Sequence, residues 1–136
     1  MTTGSVVALV LMFLAVDALV IGAVITMVAQ TLGEFAATFP ARPKAPDAVR
    51  REFQGIGLDL LNLGGSVHIS VDEHYLHIDP VWIMRAFRMP PASIPWESIQ
   101  LVKRGRRWWP AKAKVGKFEL RAPDWCLALA EGKSTE

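Results

Sequence analysis

The chain has 136 residues, 51% of them hydrophobic, and its 15 Lys and Arg against 13 Asp and Glu leave a formal net charge of +2. A mean hydropathy of +0.27 is high for a soluble domain of this size, and the excess is concentrated in the first third of the chain. Cys126 is the only cysteine, which excludes an intramolecular disulfide and is compatible with a reducing compartment.

From Val6 to Leu32 only Asp17, Thr26, Gln30 and Thr31 interrupt a run of Val, Leu, Ile, Met, Phe, Ala and Gly. Crossing a bilayer as a helix takes about 20 such residues, so residues 1–33 are expected to form a transmembrane anchor. A cleaved signal peptide fits poorly. No Lys or Arg precedes Arg42, and the apolar run exceeds the roughly 7–15 residues of a signal core. A buried core helix is the other reading of such a run, and so small a protein offers it little cover. Arg42, Lys44, Arg50 and Arg51 follow the span, which predicts an outside N-terminus and a cytoplasmic remainder.

Pro40, Pro43 and Pro46 deny a helix its backbone donors, so residues 34–46 read as a Pro-rich linker. A β domain is expected over 47–131 and a polar tail over 132–136. The stretch "PDAVRREFQ" predicts a short helix with Asp47 as N-cap. Beyond Gly57 the pattern turns to alternation: Val67, Ile69 and Val71 point one way, His68 and Ser70 the other. Asp72, Glu73 and His74 supply a turn, so Val71 should face Leu76 and Ile69 should face Ile78 in a β-hairpin. Further strands are expected from Ile94 and around Lys117 to Arg121. Between them Trp82, Ile83 and Phe87 read as core. A last helix should begin at Asp124, as its N-cap, and carry Trp125, Leu127, Leu129 and Ala130.

The predicted class is α+β: one transmembrane helix, then a small antiparallel β-barrel or sandwich closed by a C-terminal helix. The segment "VHISVDEHYLHIDPVWIMRAFRMPPASIPWESI", with Pro90, Pro91, Ile94, Pro95, Trp96 and Ile99, resembles small bacterial membrane-anchored proteins with a pleckstrin-homology-like domain. "FAATFPA" resembles the segment that joins anchor to domain in those proteins. The resemblance implies a PH-like fold and the bacterial inner membrane, and it transfers no catalytic residue.

Candidate chemistry is sparse. The hairpin register would set His68 opposite Asp79 and His77 opposite Ser70, a weak basis for a metal site beside the plainer reading of a solvated strand face. Cys126 sits among apolar residues as a small hydrophobe, and Gly55, Gly57, Gly64 and Gly65 match no phosphate-loop or dinucleotide spacing. The span has no histidine to ligate haem iron. No catalytic set, metal or cofactor is therefore expected.

The basic segment is more informative, because no acid lies between Glu97 and Glu119 whereas Lys103, Arg104, Arg106, Arg107, Lys112, Lys114 and Lys117 do. With Trp108 and Trp109 it predicts a surface for anionic lipid headgroups or for an acidic partner protein. Such loops also bind single-stranded nucleic acid, a reading that a membrane anchor disfavours. In the span, Asp17 would cost roughly 2.5–3.5 kcal/mol near mid-bilayer, so it should face protein, water or a pairing group unless it is merely tolerated. Ala15, Ala18, Gly22 and Thr26 form a line of small residues that permits another helix to approach closely. Together these features lead to the expectation of a non-catalytic, single-pass accessory or scaffold subunit. Its helix would dock on transmembrane helices of a larger complex, respiratory or photosynthetic among the options. The alternative is a membrane-anchored lipid-headgroup or peptide-binding module.

Overall fold

The computed structural model describes residues 2–86, 88–106 and 109–133. Phe87, Arg107, Trp108 and the end of the expected polar tail lie outside the described residues.

Helix α1 (Thr3–Thr38) begins where the Thr2 hydroxyl accepts the Ser5 N–H at 3.1 Å. Its 36 residues make a rod of about 54 Å, against about 30 Å of bilayer hydrocarbon. It is long and apolar enough to cross a membrane, and the apolar side chains from Val6 to Met27 are mostly exposed. The excess length has a separate use. Leu32, Phe35, Ala36 and Phe39, spaced i, i+3, i+4 and i+7, form one stripe that is buried in the core of the β domain. The helix therefore runs past the expected anchor boundary at residue 33, and only the residues after it act as connector. It stops where Pro40 restricts the residue before it.

Seven strands follow: β1 (Val49–Leu58), β2 (Leu61–Val71), β3 (Tyr75–Pro80), β4 (Ala92–Pro95), β5 (Ile99–Lys103), β6 (Ala111–Val115) and β7 (Phe118–Ala122). Helix α2 (Trp82–Ala86) lies between β3 and β4, a 3-10 turn (Trp96–Ser98) lies between β4 and β5, and α3 (Asp124–Lys133) ends the fold. The sheet is antiparallel in the order β4-β3-β2-β1-β7-β6-β5. Because β1 pairs with both β2 and β7, the meander curls into a nearly closed sheet whose opening lies between β4 and β5. Helix α3 packs on β5, β6 and the 3-10 turn, and its Cys126, Leu127 and Ala130 complete the core.

The expected order of apolar helix, antiparallel strands and C-terminal helix is thus present. So is the hairpin register, with Val71 opposite Leu76, Ile69 opposite Ile78, His68 opposite Asp79 and Ser70 opposite His77. Two local expectations are corrected. The short helix from Asp47 is instead the start of β1, because Val49, Arg50 and Arg51 pair with Val71, Ser70 and Ile69 of β2. These residues are exposed and carry no burial pattern of their own, so the neighbouring strand decides their conformation. Strand β1 is irregular between Arg51 and Ile56, where Phe53 adopts a φ of +52°. Trp82 and Ile83 are exposed rather than core, and Met84 and Met89 pack inward in their place.

Phe35 is the centre of the helix junction, 5.1 Å from the Phe118 ring in an edge-on contact and 5.3 Å from Phe39. Phe35→Ala should lower the unfolding free energy of the full-length protein in mild detergent by about 3–5 kcal/mol. An unchanged denaturation midpoint would show that the junction is not part of the cooperative core.

Candidate functional site

Two constellations of polar side chains stand out, one buried and one open. The buried one grows from the β2–β3 hairpin. His77 of β3 bridges Asp72 (Nε2 to Oδ2, 2.7 Å) and Ser93 of β4 (Nδ1 to Oγ, 2.7 Å). Asp72 also accepts the N–H groups of His74, Tyr75 and Ala45 at 2.9, 2.8 and 3.1 Å. Burial opposes ionisation of this carboxyl, but the hydrogen bonds from His77 and the backbone outweigh it and hold the group well below the usual carboxylate range. An ionised Asp72 accepts only, so Nε2 donates to it, while Nδ1 and the Ser93 hydroxyl share the second hydrogen bond.

An Asp-His-Ser series invites comparison with hydrolytic triads, in which Nε2 faces the serine. Here the ring is reversed. Ser93 is 3% exposed, and its oxygen accepts the Arg42 N–H at 2.8 Å. The arrangement holds the connector instead. Arg42 is fastened to Ser93, Ala45 to Asp72, and Lys44 to Asp79 at 2.8 Å. This also corrects the expectation of a solvated strand face, because Ser70 and His77 are buried. His68 and Asp79, although opposite each other, turn to other partners: His68 Nδ1 accepts the Phe53 N–H, and Asp79 pairs with Lys44 and Arg50. Among the described residues no three His, Cys, Asp or Glu side chains converge as a metal site.

The open constellation is a cleft of about 440 Å³ lined by Lys103, Arg104, Arg106, Trp109, Pro110, Lys112 and Arg121. Arg106 and Trp109 exchange both backbone hydrogen bonds, at 3.0 and 2.9 Å, and so close the loop between β5 and β6. Asp124 fixes the loop's base: it takes two bonds from Arg104, at 2.9 and 2.8 Å, and one from the Gly105 N–H at 2.8 Å. The Arg104 bonds first, then the Gly105 bond, hold the Asp124 carboxyl at about 2. Its expected N-cap role is thus replaced by a tie to the loop. A Cβ on Gly105 would lie 2.9 Å from Ala111 N and Trp109 O, so the close approach requires glycine.

The basic residues named from sequence are not equivalent. Arg104 is committed to Asp124, Lys112 pairs with Glu119 at 2.9 Å, and Lys117 lies 3.7 Å from Glu34 of α1. Lys114 and Lys117 line a neighbouring groove that meets the cleft at Lys112, and Lys117 sits at the opposite end of the β6–β7 ladder from the cleft. Arg107 and Trp108 lie outside the described residues, and Arg85 and Arg88 stand apart on α2 and the turn after it. Arg121 falls outside the acid-free stretch and was not legible as a member. Its guanidinium lies across Gly57, where a Cβ would come within 2.5 Å, and donates to the carbonyls of Asp59 and Leu61 at 2.7 and 3.1 Å.

On α1, Ala15, Asp17, Ala18, Gly22 and Thr26 are all exposed, beyond the reach of the β domain. The Thr26 hydroxyl donates to Gly22 O at 2.8 Å and so is satisfied within its own helix. Asp17 lies eleven residues before Val28, and Val28 eleven before Phe39. Eleven residues are three turns plus about 20°, so Asp17 projects on the same side of the helix as the stripe that enters the domain.

Two outcomes follow from these environments. Asp72 contributes stability that is fully present above its ordinary value of 3.8 and is lost as pH falls below it. Asp72→Asn should cost about 1.5–3 kcal/mol at neutral pH and flatten the acid limb of a stability-pH profile, and an unaltered limb would contradict the latch. Cys126 is buried, its Sγ donates to Pro123 O at 3.1 Å, and burial pushes the thiol up to about 12. It should resist alkylation in the native protein and react on unfolding; rapid native labelling would contradict its placement.

Comparison with protein-family models, with curated proteins and with solved structures finds no match to this chain.

Proposed function

We propose that this protein is a single-pass, non-catalytic accessory subunit that docks on a larger membrane complex through both its helix and its β domain. The observation that carries the reading is the burial of Leu32, Phe35, Ala36 and Phe39 in the β-domain core. An anchor that only tethered a domain would be joined to it by a loose linker. Here the apolar rod continues into the core and the connector is fastened by Arg42, Lys44 and Ala45, so the domain is held in one orientation beneath the span.

Asp17 adds direction. Near mid-bilayer a carboxylate needs a polar partner, and none of the described residues of the chain offers one. Because Asp17 shares its side of the helix with the domain-facing stripe, a partner that meets Asp17 stands directly over the β domain and can touch both. The line of Ala15, Ala18 and Gly22, about 100–160° around the helix from Asp17, leaves room for a second transmembrane helix.

The strand order, with β1 shared between two halves of a meander and a helix across the opening, supports a PH-like fold. The basic residues after the span support an orientation with the N-terminus outside and the β domain in the cytoplasm, and the resemblance to small bacterial membrane-anchored proteins makes the membrane the bacterial inner membrane. The test is purification of the full-length protein from native membranes in mild detergent. A stoichiometric partner should copurify, and Asp17→Leu should lose it without loss of membrane insertion. Recovery of the wild-type protein alone, or full partner retention by the variant, would overturn the docking role.

A further inference from the structure

The sheet register aligns cations in a way that the folded chain alone does not reward. Lys103 of β5 pairs with Lys112 of β6 just beyond a register shift between Leu101 and Lys103, and Lys112 is directly opposite Arg121 of β7. Directly opposed side chains on neighbouring antiparallel strands have Cβ atoms about 4.5–5.5 Å apart, and like charges so placed repel. The next position in the row is Gly57 of β1, opposite Arg121, and it leaves the guanidinium room to lie flat. Three cations thus form a row across three strands, and all three line the same open cleft.

The neutralisation is incomplete. Lys112 has Glu119 at 2.9 Å, and Arg121 Nη1 is 3.7 Å from the same carboxylate, so one acid serves two cations. Among the described residues no carboxylate lines the cleft and Lys103 has no ion pair. Arg106 adds a further cation from the loop, and Trp109, 74% exposed, forms an apolar wall beside it. Arg121, tied to two backbone carbonyls and laid across Gly57, is held before any ligand arrives.

We propose that this cleft binds a phosphate group carrying two or more negative charges, a phosphomonoester or a diphosphate, with Lys103, Lys112 and Arg121 as the cation row and Arg106 as a further cation beside it. A doubly charged tetrahedral anion accepts several charge-assisted hydrogen bonds at once and relieves the repulsion along the row. Trp109 then faces whatever the phosphate is attached to. The group could belong to a soluble phosphorylated compound or to a lipid headgroup, and the same chemistry recognises both. This inference is independent of the docking reading, since Asp17 and α1 take no part in it.

The experiment uses the full-length protein. In non-ionic detergent at constant ionic strength it is titrated with inorganic pyrophosphate, and in nanodiscs of phosphatidylcholine it is compared with nanodiscs that also contain phosphatidic acid, with tryptophan fluorescence and thermal midpoint as readouts. Saturable binding of pyrophosphate assigns a soluble ligand, and a response confined to phosphatidic acid assigns a headgroup; either supports the site. Lys103→Gln with Arg106→Gln, which leaves the Arg104–Asp124 tie and Arg121 in place, should weaken binding by about tenfold or more. Lys114→Gln, with the same loss of charge per residue outside the cleft, should leave binding unchanged. Without any anion, Lys103→Gln alone should raise the thermal midpoint, because it removes repulsion from Lys112. No saturable response to either probe, or wild-type affinity in the double variant, would overturn the proposal.

Discussion

The structure depends on the burial of four residues at the end of one helix. Leu32, Phe35, Ala36 and Phe39 enter the β-domain core, and a fully buried Leu or Phe contributes about 1.5–3 kcal/mol relative to an exposed one. That gain decides where α1 stops being an exposed apolar rod and becomes part of a domain. It also constrains neighbouring residues. Gly116, at φ +59°, makes the β6–β7 turn, and a Cβ there would sit 3.5 Å from the Phe39 ring. The Phe39 carbonyl accepts the Ser93 N–H at 3.1 Å, so the helix end also supplies a backbone partner to the otherwise unpaired edge of β4.

The connector that follows is held by the opposite kind of interaction. Asp72, His77 and Ser93 are buried polar groups whose donors and acceptors are matched to one another and to the backbone of residues 42–45. A buried network of this sort contributes specificity because a slipped connector would leave several groups unsatisfied at once. The cleft at the end of β5, β6 and β7 treats charge differently. Its Lys103, Arg106 and Lys112 are exposed, its Arg121 is half-buried, and their charge is only partly compensated, an arrangement that the proposed anion would complete. One region closes upon itself, and the other is open.

Much of the backbone plan was legible. The run from Val6 to Leu32 announced a long apolar helix, and the alternation of Val67, Ile69 and Val71 with Leu76 and Ile78 set the hairpin register to the residue. Register is readable there because a slip by one residue would turn every apolar side chain out of the core. The first half of β1 was not legible, since Val49 to Phe53 are exposed and a strand without a buried face leaves no period in its sequence. Nor was the outer face of the hairpin, where polar residues suggested solvent and the structure supplies a cover. Trp82 and Ile83 misled in the reverse sense, being bulky and apolar yet exposed.

The sequence by itself determined what depends on neighbours along the chain: the helix, its proline stop, the alternating strands and the density of basic residues from Lys103 to Lys117. Tertiary structure decided what depends on residues far apart in sequence. It joined Phe35 to Phe118, wrapped the connector over Asp72 and Ser93, and set Lys103, Arg104, Arg106 and Lys112 around one cleft while Lys117 lies against Glu34. It also brought Arg121 and Gly57 together on β7 and β1. The physical reason is the same in each case. Periodicity records which face of an element avoids water, whereas the identity of the group that covers that face, or neutralises its charge, is fixed only when the sheet curls and sets distant strands side by side.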